Sequence, residues 1–173
     1  MHQYEDVVLE QFFYNPMTRF GVRELSRQTC LDTKTIMSYL RDFTRKKLVL
    51  KRKEKGSFPY FEANRLSPVY RFEKSHAFIK KIIQTDLIPF LELECKPKVI
   101  VLFGSVKKGT YHKQSDIDLF VQSAQKRLDL SRYERVFKHK IRIFYEEDLK
   151  KLSPGLLENI YNGEVLSGKL EVL

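Results

Sequence analysis

The apolar positions of this chain change period along its length. Tyr4, Val7, Val8 and Phe12 recur at helical spacing among Glu5, Asp6 and Glu10, which predicts a helix over 2–14 that ends at Asn15-Pro16. A second short helix is expected from Val22 to Thr29, its buried side made by Val22, Leu25 and Cys30 or Leu31. Asp32 caps a third, Thr33 to Lys46, with Ile36, Leu40 and Phe43 facing inward. Leu48-Val49-Leu50, a basic stretch holding Gly56 and Pro59, and Tyr60-Phe61 then predict a hairpin with a charged tip. Residues 68–93 return to helical spacing after Ser67-Pro68, with Phe72, His76, Ile79, Ile82 and Ile83 as the apolar stripe and a kink or break at Pro89. Pro97 marks the next boundary. Val99–Phe103 is a continuous apolar run, the signature of a buried strand; Asp118–Val121 and Ile141–Tyr145 are two more. Helical pieces follow around Leu149 and over Leu156–Tyr161.

The expected fold is therefore α/β of the α+β kind. A winged helix-turn-helix occupies 1–66, since three helices followed by a hairpin is the order of that module. A helical connector covers 67–95. A small mixed-sheet domain fills 96–173.

Composition narrows the partners. The chain has 173 residues, 42% hydrophobic and 31% charged, which excludes wholesale disorder, collagen-like repeats and a disulfide scaffold. The net charge of +10 favours a polyanionic partner. Cys30 and Cys95 lie far apart, suggest neither zinc nor a disulfide, and are expected to be small buried hydrophobes. No run reaches the length of a membrane span, and the first residues carry acids where a signal peptide carries bases. The expectation is a cytoplasmic protein with no membrane partner. His2, His76, His112 and His139 show no metal-ligand spacing; His76 reads as structural.

The charge is placed unevenly. Residues 1–66 hold 13 Lys and Arg against 8 Asp and Glu, and positions 45–55 carry seven of those cations against Glu54 alone. In the third helix Lys34, Ser38, Arg41 and Arg45 fall on one face, with Thr35 beside it, opposite Ile36, Leu40 and Phe43. Such a face suits base edges and phosphates in a major groove, and Lys51, Arg52, Lys53 and Lys55 on a wing suit phosphates. The stretch FGVRELSRQTCLDTKTIMSYLRDFTRKKLVLKRKEKGSFPYFEANR resembles archaeal and bacterial winged-helix regulators. The resemblance implies contact with double-stranded DNA and transcription regulation. The apolar excess on the connector could pair two chains, and a homodimer would suit two DNA half-sites.

The richest stretch is VIVLFGSVKKGTYHKQSDIDLFV, residues 99–121. Gly104 lets a backbone approach a phosphate, and Ser105 offers a hydroxyl and an N–H where a helix begins. Asp116 and Asp118, two apart, point to one face and can hold a divalent ion together with substrate phosphates. Lys107, Lys108 and Lys113 add positive charge toward a triphosphate or a nucleic acid. Strand, Gly-Ser, Gly109, Asp-x-Asp and strand, in that order, resemble the minimal nucleotidyltransferase domain of the DNA polymerase beta superfamily over 96–173. That resemblance implies Mg2+ on Asp116 and Asp118, which would be the catalytic carboxylates. It also implies nucleotide phosphate on Gly104 and Ser105, with ATP the expected nucleotide.

The pattern departs from the family at one place. A third carboxylate belongs on a later strand, and alignment of the apolar core of HKIRIFYEEDL puts Arg142 there. An arginine at that position repels a second cation; it can pair with Asp116 or Asp118, or hold phosphate beside Lys108. Glu134, Glu146 and Glu147 flank the strand and serve only in another register. The resulting expectation is a DNA-binding regulator whose second domain binds Mg-nucleotide, with transfer to a protein or small molecule open. The alternatives are an active, antitoxin-like nucleotidyltransferase that docks a partner protein through its winged helix, and a catalytically dead scaffold.

Overall fold

The computed structural model describes residues 3–171, which divide into two compact units between Lys74 and Ser75. The boundary falls inside one helix, Pro68–Ile83.

The first unit contains α1 (Gln3–Tyr14), α2 (Val22–Thr29), α3 (Thr33–Arg45) and the hairpin β1 (Val49–Arg52) with β2 (Tyr60–Ala63). Asp32 accepts from the backbone N–H groups of Lys34 and Thr35 and from the Thr35 hydroxyl. That N-cap, worth about 1 kcal/mol, sets where α3 starts, and the Thr35 hydrogen bonds hold the Asp32 carboxyl below the usual carboxylate range. Ile36, Leu40 and Phe43 are fully buried, as their spacing predicts. β1 and β2 pair antiparallel, Val49 opposite Ala63, and an isolated bridge between Phe20 and Phe61 adds a third short strand position. Cys30 is exposed and left-handed, at φ 56° in the turn between α2 and α3. The expectation that it is a buried hydrophobe fails because the chain reverses there. Cys95 is only partly buried.

α4 runs Pro68–Ile83 and α5 Leu87–Cys95. The break lies at Gln84–Asp86, ahead of Pro89, which sits in the first turn of α5, where a missing N–H costs no helical bond. The buried stripe of α4 is Tyr70, Lys74, Phe78 and Ile82, at steps of four; of the expected stripe Ile82 is buried and Ile79 is partly buried against the core. Phe72 and Ile83 are 62% and 63% exposed, and His76 is exposed with them. Apolar residues stand on both faces of this helix, so periodicity alone mixed the two.

The second unit is built on a four-stranded mixed sheet in the order β5-β4-β3-β6. β3 (Val99–Phe103) is antiparallel to both β4 (Ile117–Val121) and β6 (Glu164–Gly168), and β4 is parallel to β5 (Ile141–Tyr145). Alternation along the strands sorts the core into two layers. Ile100, Leu102, Ile117, Leu119 and Val121 pack with Phe78 and Ile82 of α4, Leu87 and Leu91 of α5, and Tyr133 and Phe137 of α7 (Ser131–Phe137). Val99, Val101, Phe103 and Phe120 pack on the other side, with Leu149 of a 3-10 turn and Ile160 of α8 (Pro154–Tyr161). α6 (Gly104–Lys107) leaves the end of β3.

Candidate functional site

The end of β3 and the starts of β4 and β5 meet at one edge of the sheet. β3 runs opposite to its neighbours, so its C-terminal Gly104 and Ser105 come beside the N-terminal Asp116 and Asp118 of β4. The register pairs Phe103 with Asp118, and Asp118 with Arg142.

Gly104 has φ +73°, and a Cβ there would overlap the Asp118 carboxylate. Glycine is required twice over, by the left-handed backbone and by the side chain packed against it. The first N–H groups of α6 have no intrahelical partner, as at any helix start. Ser105 lies half-buried among them, and its carbonyl accepts from Thr110. Ser75 Oγ donates to the Lys107 carbonyl at 2.8 Å and fixes the end of the same short helix.

Arg142 holds both carboxylates. Its Nη2 is 2.5 Å from Asp116 Oδ2, and its Nε is 3.3 Å from Asp118 Oδ1. The second contact is an ion pair without hydrogen-bond alignment, so the buried Oδ1 has no hydrogen-bond partner. Burial pushes the Asp118 carboxyl above the usual range; Arg142 opposes that shift and Asp116 adds to it. The guanidinium also lies 5.7 Å from the Phe144 ring, which packs tilted against Phe103.

The donor set does not fit the Mg2+ that the family pattern implies. A bound cation would have to sit between the two carboxylates, and the guanidinium already sets its positive charge against one oxygen of each. No third Asp, Glu, His or Cys completes a cluster with them among the described residues. Glu134 accepts from Lys140 and from the Ile141 N–H, and Glu146 accepts from the N–H groups of Glu147 and Asp148. Glu134 and Glu146 are thus spent locally. The Asp pair is thus a charge-paired anchor for Arg142, whose remaining donors face solvent.

The expected lysines divide. Lys107 pairs with Glu164 on β6. Lys108 is exposed, and its Nζ donates to Asn159 Oδ1 of α8 at 3.3 Å. Lys113 is exposed on the loop before Asp116. Sequence reasoning passed over His139. This ring is buried between Phe78 and Tyr111, and its Nδ1 lies 2.7 Å from the Ser115 carbonyl, which ties the loop carrying Asp116 to the start of β5. Leu130, Tyr133 and Phe137, spaced three and four apart, were the signal that would have found α7 and the turn bearing His139.

In the first unit, Lys34, Ser38, Arg41 and Arg45 are exposed on the face of α3 opposite its buried residues. Thr35 is committed to the cap. Arg45 pairs with Asp42 and Arg52 with Glu62. Lys34, Arg41, Lys51, Lys53 and Lys55 have no ion-pair partner among the described residues. Phe58, 91% exposed, stands with the lysines at the hairpin tip.

No curated protein and no solved structure matches this chain. No described helix is long and apolar enough to cross a membrane. Residues 85–170 match the family model described as a nucleotidyltransferase domain. That span opens ahead of α5 and contains the whole sheet with Gly104, Ser105, Asp116, Asp118 and Arg142: this chain carries a nucleotidyltransferase domain.

Proposed function

We propose that this protein is a DNA-binding transcriptional regulator. In this reading the first unit is a winged helix-turn-helix, and the nucleotidyltransferase domain binds a nucleoside triphosphate, ATP first among them, as a ligand. The α3 face of Lys34, Ser38 and Arg41 enters the major groove, and Lys51, Lys53 and Lys55 meet the flanking phosphates. In the second unit Gly104 and Ser105 receive the nucleotide phosphates, with Lys108 beside them. Arg142 supplies the fixed positive charge at the Asp pair. The observation that carries the ligand role over transfer is the Arg142 contact with both carboxylates. It puts a fixed positive charge where phosphoryl chemistry in this family needs a cation, and leaves a guanidinium beside the phosphates. A partner protein or a homodimer belongs to the same reading, through the DNA half-sites.

Two titrations test it. Random duplex DNA should bind with an affinity that falls linearly on a log–log plot against salt, and each wing lysine removed should lower the slope by about one. ATP should bind in calorimetry and lose affinity in Arg142→Ala. Absence of duplex binding even at low ionic strength removes the regulator. Silence with ATP, GTP, CTP and UTP removes the ligand.

A further inference from the structure

A second concave surface lies next to the Asp pair, on the side away from Gly104. It is a pocket of about 420 Å³ between the loop before β4 and the turn from α7 into β5. The sheet order puts Gly104 at the end of β3 and this pocket on the β5 side, with Asp116 on its rim. Gly104, Ser105 and Lys108 are not part of it.

Its charge is unbalanced. Lys113, Arg135, Lys138 and Lys140 line it against Asp116 and Glu134. Both acids are already engaged: Glu134 binds Lys140 at 2.7 Å, and Asp116 binds Arg142. Lys113 and Lys138 have no ion-pair partner among the described residues, and Arg135 acts only through space on Asp129. Three cations converging on a concavity focus a positive field and attract a multiply charged anion.

The walls are firm. Ser115 N–H donates to the His112 carbonyl at 2.9 Å, Ser115 Oγ accepts from the His112 N–H, and the Ile117 N–H donates to the Lys140 carbonyl at 2.8 Å. His139 forms the floor and joins the two walls through Ser115. Lys138 sits at φ +59°, a backbone state that a β-carbon disfavours, and that state belongs to the turn that lines the pocket.

We infer that this pocket is a binding site for a phosphate monoester of mononucleotide size, distinct from the Gly104–Ser105 turn. Its volume is in the range of small-ligand sites. Lys113, Lys138 and Arg135 take the phosphate, and Gln114 is placed for the organic part.

Calorimetric titration of the full chain with AMP, inorganic phosphate and adenosine tests the site. The variant is Lys113→Ala/Lys138→Gly. The glycine accepts the positive φ at 138, and both lysines are exposed, so the fold should survive; an unchanged melting temperature checks this. Wild type should bind AMP and phosphate but not adenosine. The double variant should bind AMP at least about tenfold more weakly. AMP affinity unchanged in the variant, adenosine binding equal to AMP, or no binding of AMP and phosphate by wild type each overturns the inference. ATP titrated into the same variant separates the two sites. Retained ATP binding leaves both readings standing. Loss of ATP together with AMP keeps this pocket and removes the Gly104–Ser105 reading.

Discussion

Arg142 and Asp118 face each other across the parallel β4–β5 pair, with the guanidinium Nε 3.3 Å from the carboxylate Oδ1. One residue type at one register position thereby changes what the edge of the sheet can hold. Three carboxylates would bind a divalent ion; two carboxylates and a guanidinium cut the negative charge from three to one and fill its centre with a fixed cation.

Replacing that residue should restore the cation site. Arg142→Asp is expected to bind Mn2+ with Asp116 and Asp118 as co-ligands, read by electron paramagnetic resonance of the free ion. Wild type should show no stoichiometric uptake at the same concentrations. Equal uptake by both proteins would show that the guanidinium does not compete for the carboxylates.

Gly104 should tolerate no side chain while Asp118 is present. Gly104→Ala forces a β-carbon onto the Asp118 carboxylate at φ +73°, and a loss of about 2 kcal/mol or more is expected in urea unfolding. Asp118→Ala removes the clash but not the backbone cost, so the double variant should recover part of the loss. Strict additivity in the mutant cycle would mean that the two residues do not touch.

Lys74 is 1% exposed, and burial first, with the Arg65 charge second, brings its ammonium down to about 8. The folded chain then binds fewer protons than the unfolded chain between about 8 and the ordinary 10.5, so stability should rise with pH across that window. Lys74→Met should lack this slope. It should exceed wild type by about 2 kcal/mol at pH 7, the gap closing toward pH 10.5. A pH-independent gap between the two proteins would show that the lysine stays charged in the fold.

Arg41 and Lys53 should fail differently on DNA. Arg41→Ala should cost about 1–3 kcal/mol on a selected site and little on random duplex, because a helix face reads base edges. Lys53→Ala should weaken both alike and flatten the salt dependence. Equal losses on selected and random duplex for the two variants would place α3 outside the groove.

Much of this was legible in the sequence. Gly104-Ser105, the Asp116-x-Asp118 step and the apolar runs of three strands fixed the sheet edge, and the apolar core of β5 put Arg142 in its register. The rest needed tertiary information. β6 is a short edge strand, EVLSG, with little alternation, and its pairing with β3 is decided by what surrounds it. The face of α4 was misread in part, because Phe72 and Ile83 are as apolar as the buried Phe78 and Ile82. His139 carries no motif; its role exists only because α7 turns back beside the loop before Asp116.

The overlap between Gly104 and Asp118 also imposes an order on change. A smaller residue can replace Asp118 in one step, because it only opens space. Position 104 cannot take on a side chain until that space exists. A lineage abandoning this edge of the sheet therefore loses the carboxylate first and the glycine afterwards, and a chain that keeps the glycine beside a lost carboxylate records the intermediate stage.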